Sequence, residues 1–95
     1  MKVLNNFQIQ FMKEIADIQK CCVINALYRK HNYTSKEEEI YSITSEVIYR
    51  IMELIDGYSN SDIGKLDIIN EKTGERLKKN PIIELHDVID DYIKE

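Results

Sequence analysis

Residues 40–58, IYSITSEVIYRIMELIDGY, decide the fold. Ile40, Ile43, Val47, Ile51, Leu54, Ile55 and Tyr58 recur at spacings of three and four, which places them on one face of an α-helix. Ser42, Ser45, Glu46, Arg50 and Glu53 take the opposite side, while Ile48, Tyr49 and Met52 widen the apolar stripe. Both ends are marked. Thr34 and Ser35 each precede an acid by three residues, so either can open a capping box, and Glu37, Glu38 and Glu39 put negative charge at the positive end of the helix dipole. Gly57 stands where a left-handed residue closes a helix. The spacing therefore predicts a central helix over residues 36–56, about 31 Å long at roughly 1.5 Å per residue.

Upstream, Leu4, Phe7, Phe11, Ile15, Ile18, Cys22 and Ala26 step by three or four. They predict a first helix from about residue 5 to about residue 30, with Asn5 or Asn6 as its N-cap. A second stripe, Met12, Ala16, Val23 and Leu27, lies beside the first. Arg29 and Lys30 suit the negative end of this helix, and His31 reads as its C-terminal cap. The short link to Thr34 predicts an antiparallel αα-hairpin.

Downstream of Gly57 the texture changes. Ser59, Asn60, Ser61 and Asp62 read as a loop. Leu66 and Ile68 alternate with Asp67, and Gly74 can supply the positive φ of a hairpin turn, so residues 65–78 are expected to form a two-stranded β-ribbon. Such a ribbon is marginal alone, so Leu66, Ile68 and Leu77 should lean on the helices. Asn80 and Pro81 are expected to cap and open a third helix, with Ile82, Leu85, Ile89 and Tyr92 or Ile93 inward. The expected fold is α+β and mostly helical, in the order α-α-β-β-α, as one domain of 95 residues.

Composition limits function more than it reveals it. Net charge is −4, distributed as +3 over residues 1–33, −4 over 34–58, +1 over 59–80 and −4 over 81–95. No basic stripe of the kind that neutralises phosphates is present, so nucleic-acid binding is not expected. Nor does any segment approach the ~20 apolar residues that span a bilayer. The N-terminus lacks the apolar run and cleavage site of a signal peptide. A cytoplasmic protein without membrane association is expected. Cys21 and Cys22 lie about 100° apart on a helix, which suits two reduced thiols, with Cys22 in the core, better than a disulfide or metal pair.

Candidate chemistry is sparse. His86, with Asp90 one turn on and Glu53 or Asp56 within reach if the helices pack, is the best arrangement for sharing a metal or a proton. Two such residues on one helix are commonplace, and a histidine at a helix edge is the more ordinary reading. A metal-dependent enzyme around His86 is thus an alternative only; no catalytic residue, metal or cofactor is expected. The three glycines are isolated, so no loop cradles a phosphate. The six tyrosines are more suggestive, since tyrosine offers apolar area with a polar tip. Tyr41 and Tyr49, eight apart on the central helix, combine with Glu46 and Glu53 as a candidate protein-binding surface. Tyrosines fringing the core would have the same spacing.

TSEVIYRIMELIDGY, LDIINEKTGE and IELHDVIDDYI together resemble small uncharacterised proteins of low-GC Gram-positive bacteria and their phages. The resemblance covers about residues 44–95 and carries over no catalytic residue. It implies a cytoplasmic binding role of the immunity, antitoxin or phage-accessory kind. The expectation is a protein-interaction module with a protein partner, or alternatively a structural subunit that self-associates as a homodimer.

Overall fold

Two long helices, α1 (Asn6–Tyr28) and α2 (Lys36–Asp56), carry the structure, which is a computed structural model describing residues 3–28, 32–59 and 62–95. The start of α1 is a reciprocal cap. The Gln8 backbone N–H donates to Asn5 Oδ1 at 2.8 Å, and the Asn5 N–H donates to Gln8 Oε1 at 2.8 Å. Arg29, Lys30 and His31, expected at its other end, lie outside the described residues. Asn25 meets Glu46 near one end of the helix pair, while Glu14 and Asp17 share a cleft with Glu53 and Tyr58 near the other. The hairpin is therefore antiparallel, as its short link requires.

α2 runs between the limits its sequence marks. Ser35 is the N-cap, its hydroxyl accepting from the Glu38 N–H at 3.1 Å, and Glu38 in turn accepts from the Thr34 N–H and hydroxyl. At the other end Gly57 sits at φ +85°. Its N–H donates to the Leu54 carbonyl and the Tyr58 N–H to the Glu53 carbonyl, the paired closure of a Schellman motif. A Cβ at residue 57 would stand 2.6 Å from Lys65 Cγ and 3.1 Å from Lys65 N, so glycine serves both the backbone angle and the returning chain. That return is fixed by the Leu66 N–H donating to the Ile55 carbonyl at 2.7 Å.

Beyond Gly57 the structure departs from the α+β expectation. No strand or sheet forms among the described residues, and the fold is predominantly helical. The turn at Gly74 is present, with one bridge between Ile69 and Arg76 and hydrogen bonds from Asn70 N–H to Glu75 O and from Leu77 N–H to Ile68 O. The ribbon stops there because a side chain takes over its ladder. Asp67 Oδ1 accepts from the N–H groups of Ile68 and Lys78, and Oδ2 accepts from Arg76 Nε. Ile68 and Leu77 do not lean on the helices; each remains about half exposed.

The third helix starts later than expected. Asn80 is at φ +54° with a cis bond to Pro81, and neither opens the helix. α3 spans Leu85–Val88 with Glu84 at its N-cap and continues as a 3-10 turn, Ile89–Asp91. Leu85 points inward as expected, whereas Ile82 and Tyr92 are largely exposed. Cys22, Leu54, Ile55 and Leu85 are the buried apolar residues; α2 packs against both α1 and α3, which among the described residues do not touch each other.

Candidate functional site: a buried carboxylate between α2 and α3

Asp56, the last residue of α2, is fully buried. Burying a lone carboxylate is costly, so its partners define the site. Oδ2 accepts the His86 backbone N–H at 2.8 Å and the His86 Nδ1–H at 2.7 Å. Oδ1 faces Lys78 Nζ at 3.0 Å in an ion pair, and Lys78 is itself buried. One side chain thus caps α3 from outside that helix, and also ties down the chain that follows the Gly74 turn.

His86 is enclosed. Its ring meets Tyr58 edge-on at 4.6 Å and Tyr49 at 6.0 Å, and Nε2 reaches Asp87 Oδ1 at 3.3 Å. The Asp56 hydrogen bond raises the His86 pKa above that of an ordinary histidine; burial opposes this, while Asp87, Asp56 and Glu53 add to it. For Asp56, burial is the largest single influence and pushes upward. Hydrogen bonds from the His86 backbone and ring, the Leu85 backbone and Lys78 together outweigh it and hold the carboxyl below the ordinary range. The result is an alternation of basic and acidic groups: Lys78, Asp56, His86, Asp87.

Asp56, Glu84 and His86 each bring one possible ligand atom within 4.8 Å of the others, and Glu84 Oε2 is buried without a hydrogen-bond partner. The donor set suits a divalent cation only in part. Lys78 already supplies a positive charge to Asp56, and His86 Nδ1 is engaged by the same carboxylate. Nor does the expected pairing of His86 with Asp90 form the site, since the ring turns to Asp56 and Asp87 while Asp90 stays exposed. The geometry is that of an ionic latch between elements.

The four residues of the candidate binding surface fall in two pairs, Glu46 and Glu53 toward α1, Tyr41 and Tyr49 toward the C-terminal segment. Glu46 lies in the seam between α1 and α2, accepting from Asn25 Nδ2 at 2.8 Å and Arg50 Nε at 3.3 Å. Tyr49 is half-buried toward α3, and partial burial, followed by Glu53, Asp90 and Asp87, raises its phenol pKa. Tyr41, 38% exposed, has Lys94 Nζ 4.9 Å above its ring. Glu53 borders a polar cleft of about 460 Å³ with Glu14, Asp17 and Arg50. Cys22 is buried in the core as expected, and burial, with Glu46 next, pushes its thiol pKa up.

The sequence offered Asp56 as one possible neighbour of His86, but not the ion pair with Lys78 or the cap on the His86 N–H, whose members lie 22 and 30 residues from Asp56, beyond the reach of any local pattern. One signal was available. An aspartate at the negative end of a helix dipole is disfavoured unless it serves something else.

Comparison with known protein families, with curated proteins and with solved structures returns no match. Nothing in these comparisons points to an enzyme. Among the described residues, no helix is long and apolar enough to cross a membrane.

Proposed function

We propose that this chain is a small cytoplasmic protein-interaction module of the immunity or accessory kind. The observation that carries this reading is surface left uncovered. The chain exposes 7796 Å², whereas a compact monomer of 11.2 kDa would expose roughly 5,700 Å². Its radius of gyration is 15.6 Å, against roughly 12.4 Å for a compact chain of this length. Much of the apolar part lies on α1, where Met12, Val23, Leu27 and Tyr28 are all more than half exposed. A patch of that kind is the usual mark of a contact surface.

This moves the proposed contact from the Tyr41, Glu46, Tyr49 and Glu53 side of α2 to the outer side of α1. The test is capture of a protein by the immobilised full chain, alongside a Met12→Glu control. The reading is supported if capture, or self-association, is lost in the control. It fails if neither is seen, or if both persist unchanged in Met12→Glu.

A further inference from the structure

The outer stripe of α1 has a period of its own. Ile9, Met12, Ala16, Gln19, Val23 and Ala26 are spaced 3, 4, 3, 4 and 3, the a/d alternation of a coiled-coil seam. All six are exposed, Ile9, Met12 and Val23 by 37, 59 and 51%. The core-facing row, Phe11, Ile15, Ile18 and Cys22, is separate from it, so the helix has a second face that the described residues leave exposed.

We propose that a second copy of this chain covers that face, with the two α1 helices packed antiparallel about a two-fold axis. This rests on the interaction reading above and names its partner. A two-fold interface must be self-complementary, and the seam is. Antiparallel packing sets each a position against a d position of the other copy. Ile9 then meets Ala26, Met12 meets Val23, and Ala16 meets Gln19, so every layer pairs a larger side chain with a smaller one. Parallel packing would instead set Ala16 against Ala16 and Gln19 against Gln19, leaving uneven layers. The chain as a whole exposes roughly 2,100 Å² more than a compact monomer of its mass, which is more than the ~800 Å² that each partner contributes to a standard interface. Lys13 and Lys20 flank the seam in every copy, and in the antiparallel register they approach each other. Salt therefore tightens this association by screening them.

The decisive experiment is sedimentation equilibrium of the full chain and three variants at 50 and 500 mM NaCl, with circular dichroism to check folding. The wild type should form a dimer of about twice the 11.2 kDa monomer mass, more tightly at high salt. Met12→Glu and Val23→Lys should each weaken the dimer at least ~10-fold, since each sets a charge against an apolar side chain. The double variant, Met12→Glu with Val23→Lys, sets opposite charges together twice across the axis and should recover most of the loss. Circular dichroism of each single variant shows that it is folded, and recovery shows that the loss came from charge at the seam. A strict monomer at about 500 µM overturns the second-copy proposal, while loss of a heterologous partner in Met12→Glu would still uphold the interaction reading. A dimer indifferent to both single changes, or one that the double change fails to restore, overturns the antiparallel seam.

Discussion

α2 and the segment from Asp62 to Glu95 are held in opposite ways. α2 is closed by its immediate neighbours: Ser35 and Glu38 at the start, and Gly57 with Tyr58 at the end. The C-terminal segment has few such devices. α3 has four residues, and no side-chain bond from its own N-cap. What holds it is a carboxylate that belongs to another helix. A helix with local caps can be read and disturbed one end at a time, whereas a segment tied to one distant group stands or falls with that group.

The largest expected effect breaks the second half of this comparison. Asp56→Ala leaves Lys78 buried without its counter-charge and α3 without its cap, and should cost about 3–5 kcal/mol in denaturant unfolding. Amide exchange in Asp56→Ala should accelerate over residues 78–93 well before it does in α2. Adding Lys78→Met should restore part of the loss, because an apolar side chain needs no counter-charge.

Gly57→Ala attacks the boundary between the two regions. It forces a Cβ into the left-handed region and against Lys65, for a cost of about 1–3 kcal/mol in the same unfolding measurement. Ser35→Ala, which removes only a local cap, should cost about 1 kcal/mol, with exchange faster in the first turn of α2 and unchanged at α3.

Smaller still is the dependence on pH. The folded pKa of His86 is raised above its unfolded value, so its contribution is complete below about pH 6.5 and is lost as pH rises through the folded value. The folded pKa of Asp56 is lowered, so its contribution is present above about pH 3.9 and is lost as pH falls through the folded value. Stability should peak between these limits. His86→Gln should flatten the alkaline limb and leave the acid limb in place, as chemical denaturation at a series of pH values would show.

The same contrast explains what could be read from the sequence. Both long helices, their antiparallel turn and the caps of α2 follow from periodicity and from residues within a turn of each end. The β-ribbon did not survive, because Asp67 offered Ile68 and Lys78 a closer acceptor than a strand partner. The start of α3 was misplaced to Asn80 and Pro81 because its actual acceptor lies on α2 and has no local trace. Of the candidate surface, Glu46 had ordinary helix-surface spacing, and only the position of Asn25 on α1 shows that it faces inward. The second stripe of α1, Met12, Ala16, Val23 and Leu27, was visible in the sequence, but it took the fold to show that these residues are left exposed.

The cap of α3 stands thirty positions upstream of the residue it holds, and that separation has a consequence for how the chain folds. Four helical residues are too few to nucleate a helix unaided, so α3 waits for the last turn of α2 to be in place. A peptide of residues 59–95 should accordingly show no helix by circular dichroism. In the whole chain, substitutions at Leu85 or His86 should speed unfolding while leaving the folding rate nearly unchanged, the mark of an element assembled after the main barrier.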